Sequence, residues 1–369
     1  MNNETNISRN SQIDILRALS MFMIIICHFI YHGIRHVLEE DTFPDLGFSA
    51  SLTGEINFFF CQLLGYLTNI GPNLFVLITG YFLIKPRKFR YATQKALHLW
   101  LVTVFYSLTS LLVVYLLTSG KNFAYKDLID SLLPLWSRQY WFMSMYIPLL
   151  LLSPFLATGA SALEKRDYQR LLLVLFILNF VLNGIGYGAL FLGPIPLPFY
   201  IFVFLIGGYL RLYGCQTRYS QYGIYIYLFG YLALAIVQTI IQLHFAPTGI
   251  FPHIKGMANN SITLFMSVLV FGWVISRPQK DTRIGQWAIK INPYILAVYL
   301  IHDNPHVRPL LWNNLIASRN YIQKPYLILY CFLSSIVIFC ICLGVEWLRT
   351  TISDLLFTNI TGGDVRKKQ

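Results

Sequence analysis

Long apolar runs, separated by short polar stretches, set the pattern of this chain. With about 20 apolar residues per bilayer crossing, that pattern predicts ten spanning segments, at 12–33, 56–84, 96–118, 139–158, 170–188, 197–213, 222–243, 257–276, 287–303 and 325–348. The second run is too long for one crossing and contains Asn69-Ile70-Gly71-Pro72-Asn73. Pro72 interrupts the helical hydrogen-bond ladder, so the run reads as an interfacial or re-entrant piece from about Glu55 and a shorter helix from Pro72. Freed backbone of this kind is tolerated only where protein or water covers it. The predicted class is all-α: a polytopic transmembrane helix bundle of about ten spans. It forms one membrane-embedded domain over residues 1–369, with a core at 12–348 and short tails.

Composition agrees with a membrane as solvent. The 369 residues are 56% hydrophobic and 12% charged, against about 25% charged in a soluble domain. The net charge of +12 would suggest nucleic acid in a soluble protein; here the bias of basic residues toward cytoplasmic loops accounts for it, and no nucleic-acid partner is expected. Ten crossings put both termini on one side. Twenty of the 28 Lys and Arg fall on that side, concentrated at Lys85–Lys95, Lys165–Arg170, Arg211–Arg218 and Arg277–Lys290, and eight on the other. Both termini are therefore expected in the cytoplasm. The six cysteines show no CxxC spacing and read as small packing residues rather than a disulfide or zinc framework. No small-x-small cleavage site follows the first apolar run, which is expected to remain as a helix.

Polar residues inside apolar runs mark the candidate chemistry. The first segment, QIDILRALSMFMIIICHFIYHGIRH, holds Arg17 and His28. Eleven residues place them about 20° past three full helical turns, on one face and about 16 Å apart along the axis. Ionisable residues within a membrane helix are costly and usually face an interior cavity. Asp14 and Arg17 have ion-pair spacing, which also suits a plain interfacial anchor. His32 and His36 follow His28 at steps of four. His28 and His32 have the spacing of a metal pair, but without an HExxH glutamate or an evident third ligand no metal is expected. Two readings of His28 stand: a satisfied core histidine, or a general base that takes the proton of an attacking hydroxyl. An arginine on the same face, nearer the cytoplasm, suits a phosphate or carboxylate of a donor.

Further candidates lie at segment ends, each with a structural alternative. Tyr299, His302 and Asp303 close the ninth segment, where His302 could orient an acceptor sugar or pair with Asp303, or belong to an interfacial aromatic belt. Glu55 and Asn57 open the second run, as acceptor-cleft residues or as a solvated helix start. Trp136, Tyr140, Trp141 and Tyr146 cluster at the outer start of the fourth, where aromatic faces suit both a membrane interface and a sugar ring. Glu346 and Arg349 read as an end-of-helix pair. The charge-free stretch 184–198 reads as an external turn that could cap a cavity.

Arg17 and His28, with ten residues between, resemble the R-x10-H pattern of the integral-membrane acyltransferase family 3, and IDILRALSMFMIIICHF resembles its first helix. NLFVLITGYFL (73–83), YWFMSMYIPLLLLSPFL (140–156) and NPYILAVYLIHDN (292–304) resemble the family in the same order. The resemblance covers nearly the whole chain. It implies an O-acyltransferase that moves an acyl group, usually acetyl, from acetyl-CoA to a carbohydrate hydroxyl across the cell membrane, with His28 as the base and no permanently bound cofactor. It also implies a cationic R-x-x-R pair near the acyl donor. KPRKFRYATQKALHLW offers two alignments: Arg87 and Arg90 have the literal spacing, while Lys95 and His98 stand where the pair meets the helix. Cations there suit coenzyme A phosphates, and the same run suits a positive-inside anchor. The expected setting is a multi-pass protein of a bacterial cytoplasmic membrane, in contact with lipid, acyl-CoA, a carbohydrate acceptor and glycan-assembly proteins. The alternative is a polysaccharide or lipid-linked sugar transporter or flippase, since a broken helix beside a cavity fits that class too.

Overall fold

The computed structural model describes residues 10–35, 48–120, 123–181, 197–215, 218–241, 261–280 and 282–361. Among the described residues, the regular structure is entirely helical. Six helical stretches among the described residues are long and apolar enough to cross a bilayer: Ser11–Ile34, Leu52–Leu83, Phe89–Leu117, Trp141–Ser161, Ser220–Ile240 and Leu327–Leu355. Two shorter apolar helices, Leu197–Tyr213 and Ser261–Ile275, coincide with the sixth and eighth expected segments. The fifth expected segment begins in Lys165–Phe176 and a π-helical stretch Ile177–Val181; its remainder, the 184–198 turn up to residue 196, and His36 lie outside the described residues.

Local chemistry sets the element boundaries. The side chain of Asn10 caps α1 (Ser11–His28), accepting from the Gln12 N–H at 3.1 Å, and Asp14 sits in the first turn where the helix dipole favours an anion. Ser51 caps α2 (Leu52–Thr68) through the Gly54 N–H at 3.1 Å. The expected break in the second run falls at Asn69 and Ile70, and α3 (Gly71–Leu83) starts with Pro72 where a missing N–H costs nothing. The basic run lies across the start of α4 (Phe89–Leu117), so Lys95 and His98 are helical while Arg87 precedes the helix. A short α5 (Tyr125–Leu132), not anticipated, precedes α6 (Trp141–Ser161).

Two expected segments are redrawn. The ninth, 287–303, is not one helix. A polar-faced α11 (Arg283–Ile291), capped by Thr282, gives way to a tight turn at Asn292–Tyr294 and then to α12 (Ile295–His302). Pro293 supplies the break. The last segment does not stop at 348: α13 runs from Leu327 to Thr361, about 52 Å at 1.5 Å per residue. Glu346 and Arg349 therefore lie well inside a helix rather than at its end. Their carboxylate–guanidinium pair is made at 2.6 and 2.8 Å, and Glu346 also accepts from the buried Tyr106 hydroxyl at 2.5 Å.

Packing places α1 centrally, against α2, α3, α11, α12 and α13. The tightest helix pair is α3 with α8 (Leu197–Tyr213). A Cβ at Gly80 would run into the Phe204 carbonyl, and one at Gly207 into that of Leu77. Such backbone approach by small residues is how membrane helices gain contact where lipid offers no hydrophobic drive. α11 crosses the start of α1, and from Asn292 the chain runs through α12 in the same direction as α1. Gln12 Nε2 donates to Pro278 O at 2.7 Å and the Ser11 hydroxyl to Lys280 O at 3.2 Å; higher up Asn292 Nδ2 donates to Asp14, and at the far end His28 meets His302.

Candidate active site

The site forms where α1 and α12 end side by side. At His28 the α-helix of α1 passes into a π-helical segment, Phe29–Arg35. Such widened turns are rare and recur at functional sites. This segment packs on a second π-helical stretch, Leu310–Ile316, and on the turn Ser318–Tyr321. Gly33 permits the approach, because a Cβ there would strike the Ser318 hydroxyl. Trp312 fills the space behind, with its ring 6.3 Å from Phe29 and 6.5 Å from His302.

Four side chains converge. His28 Nδ1 lies 3.0 Å from His302 Nε2 and 3.5 Å from Asp303 Oδ1. His32 Nε2 lies 3.3 Å from the same carboxylate oxygen, and the His28 and His32 rings are 4.6 Å apart. The His302 Nδ1 faces Val298 O, one helical turn back, at 2.5 Å. Asp303 is 1% exposed and His302 fully buried, whereas the side chains of His28 and His32 keep 14% and 20% of their surface. A buried carboxylate needs charged or hydrogen-bonding partners. Arg308 provides them, with Nη2 at 2.9 Å and Nε at 3.2 Å from Oδ1, and with Nη2 also donating to the Asp303 carbonyl at 3.1 Å. Asn304 builds the turn that brings Arg308 back: its Oδ1 accepts from the N–H groups of His306 at 2.9 Å and Val307 at 3.3 Å.

Of the roles open to His302, neither direct pairing with Asp303 nor a place in an interfacial belt is the one made: the carboxylate serves His28, His32 and Arg308, while the buried His302 stands behind His28. Asp303 adds a third ligand type to the His28 and His32 pair. Its oxygen and the nitrogens of His28 and His32 lie within 4.8 Å of one another. A cation placed among them would have to compete with the Arg308 guanidinium for Oδ1 and with His302 for His28 Nδ1.

The other sequence candidates fall into distinct places. Arg17 pairs with Asp14 at 3.5 Å, its side chain 30% exposed, and lies about three turns below His28 on α1. Arg87, Arg90 and His98 are exposed at the start of α4, with Arg87 over the Tyr91 ring at 4.8 Å, and Lys95 is half-buried. α4 packs on α5, α6 and α12, and α1 on α2, α3, α11, α12 and α13, so the helices carrying the two cationic groups share α12 as a neighbour.

Tyr140 is completely buried; its hydroxyl donates to Leu300 O at 2.9 Å and accepts from Asn304 Nδ2 at 2.7 Å. It ties α6 to the end of α12 instead of offering a face to a sugar. Tyr299 is buried under the rings of Tyr140 and Phe142, at 5.9 and 6.0 Å. Trp141 remains partly open at the start of α6, as does Glu55 in the first turn of α2. Asn57 neither lines a cleft nor faces solvent: its Nδ2 donates to the Ile322 and Lys324 carbonyls, both at 2.8 Å.

Arg308 escaped the sequence reading. The available signal was Asn304-Pro305, a pair that favours a turn; Asn304 Oδ1 holds that turn, which brings Arg308 back to Asp303.

No curated protein and no solved structure was found to match the chain. A family model described as an acyltransferase domain matches residues 10–346. With that match over nearly its whole length, on an all-helical bundle with a histidine–carboxylate cluster at the end of its first helix, the chain belongs to acyltransferase family 3.

Proposed function

We propose that the protein moves an acyl group, acetyl in the simplest case, from cytoplasmic acyl-CoA to a hydroxyl of an extracytoplasmic or lipid-linked carbohydrate. The observation that carries this reading is His28, partly open and backed by Asp303 at 3.5 Å in a chain of this family. His28 takes the proton from the acceptor hydroxyl as its oxygen bonds to the acyl carbon. The carbon–sulfur bond breaks, and the departing thiolate takes the proton from His28. The cluster holds one fixed anion, Asp303, and one fixed cation, Arg308. It is neutral with neutral imidazoles, and Asp303 opposes the charge that His28 gains during the step.

Arg17, three turns below on the same helix, holds donor phosphate, with Arg87, Arg90, Lys95 and His98 gathering the anionic donor at the mouth. The 20 to 8 distribution of Lys and Arg over the ten expected spans supports a cytoplasmic mouth. Trp141 and Glu55, being partly open, are the better acceptor-side candidates; Tyr140, Tyr299 and His302 act from behind the surface.

The test uses proteoliposomes supplied with acetyl-labelled CoA and a mixture of surface glycans. Wild-type protein transfers label to carbohydrate, and His28→Ala, inserted to the same level, does not. Full transfer by His28→Ala would sink the catalytic assignment. Glycan movement without label would instead favour the transporter or flippase reading.

A further inference from the structure

The contacts behind His28 fix where its proton sits. The Val298 carbonyl can only accept, so the His302 Nδ1 facing it at 2.5 Å carries the hydrogen. A neutral imidazole has one N–H, which leaves His302 Nε2 as a bare acceptor. His28 Nδ1, 3.0 Å from that acceptor, must then be the donor. The second neighbour of His28 Nδ1, the Asp303 oxygen at 3.5 Å, is also an acceptor and demands the same hydrogen. The proton therefore sits on Nδ1 and the lone pair on Nε2. Among the described residues, no hydrogen bond is made to His28 Nε2.

We propose that His302 is a positioning residue that locks His28 in the Nδ1–H tautomer through a relay ending on the Val298 carbonyl, and so aims a bare Nε2 at the acceptor hydroxyl. The inference rests on His28 being the base and adds what makes it competent. An unconstrained imidazole prefers its hydrogen on Nε2, where it could not accept a proton from a hydroxyl. The partner that holds the far nitrogen decides which end reacts. Here that partner is a neutral, fully buried histidine, with Asp303 set slightly farther away as the balancing charge rather than as the primary acceptor. Burial of His302 also excludes it from touching the sugar.

Two substitutions separate the relay from simple packing. In His302→Asn the side-chain amide takes the place of Nδ1, and can keep the Val298 contact without reaching His28. In His302→Gln the amide oxygen reaches the place of Nε2 and can accept from His28. The expected result is a kcat reduced about tenfold or more in His302→Asn and in His302→Ala, with donor KM unchanged, and largely restored in His302→Gln.

Solid-state NMR of protein labelled with 13C,15N-histidine, with the His28 signal assigned by difference against His28→Asn, reads the tautomer directly. His28 should be Nδ1–H in the wild type and gain the Nε2–H form in His302→Ala. An Nε2–H His28 in the wild type overturns the proposal. So does an unchanged tautomer with full activity in His302→Ala, which would assign the task to Asp303 alone. If the tautomers behave as stated but His28→Ala remains active, it is the base assignment that fails, and the relay is a structural feature only.

Discussion

Replacing Asp303 by asparagine tests the electrostatics of the proposed reaction most directly. The side chain keeps its shape and loses its charge. In the resting cluster that charge is balanced by Arg308; in the transition state it also opposes the cation forming on His28. At 3.5 Å, a full unit charge interacts with another by about 4.7 kcal/mol at an effective dielectric of about 20. With the proton about half transferred, roughly 2.4 kcal/mol is at stake, or about 50-fold in rate. Arg308 raises the loss further, because its guanidinium, 2.9 Å from the same oxygen, is left without its counter-charge beside the developing imidazolium. Asp303→Asn should therefore lower kcat about 50-fold or more while leaving donor KM within twofold. The double variant Asp303→Asn/Arg308→Ala should recover part of that loss, a coupling that a double-mutant cycle isolates. Initial rates of label transfer in proteoliposomes, at several donor concentrations, read both constants, and size-exclusion profiles check that the variants fold. A well-folded Asp303→Asn protein with kcat within threefold of wild type would falsify the counter-charge argument.

Other perturbations address the donor mouth and the frame. Arg17→Ala should raise donor KM about tenfold or more, as expected for loss of a charge-assisted contact of roughly 1.5–3 kcal/mol, with a smaller effect on kcat. Comparing Arg87→Ala/Arg90→Ala with Lys95→Ala/His98→Ala in the same assay shows which cations serve the donor, since only the serving pair should raise KM. Gly80→Val drives a branched side chain into the Phe204 backbone and should lower thermal stability by about 1–3 kcal/mol or prevent folding, read by fluorescence-detected size exclusion after heating. Asn57→Ala removes both hydrogen bonds to the 322–324 turn; stability should fall by roughly 1–3 kcal/mol, with donor KM unaffected.

How much of this was legible in the sequence depended on whether the signal was local. The apolar runs, the break before Pro72 and the shared face of Arg17 and His28 follow from residues close together in the chain, and the helices carry them. The ninth segment misled because its mean apolarity hid Asn292-Pro293, which splits it. Glu346 and Arg349 have the spacing of a helix-end pair, whereas within the helix the pair neutralises itself and binds Tyr106. The candidate site required two segments 274 residues apart to meet. His28 could be nominated from one helix, but its partners could not: nothing local distinguishes a histidine that touches substrate from one, like His302, that stands behind the reacting ring. Tyr140 illustrates the same limit. An aromatic residue at a segment start fits a sugar platform, and only the Leu300 carbonyl and Asn304 amide reveal it as a brace.

The parallel run of α1 beside α12 is clasped at two heights, by Asn292 on Asp14 and by His302 on His28. Clasped in this way, the pair is a ruler. The rise of α1 sets Arg17 and His28 about 16 Å apart along the helix axis, and the two clasps hold α12 in register with that interval. On the proposed reaction, a donor is then measured by the reach of its arm from anionic head to thioester as well as by its acyl group. A donor with a shortened arm would occupy the cationic end and fail to present its carbonyl at the other, acting as a competitive inhibitor in place of a poor substrate.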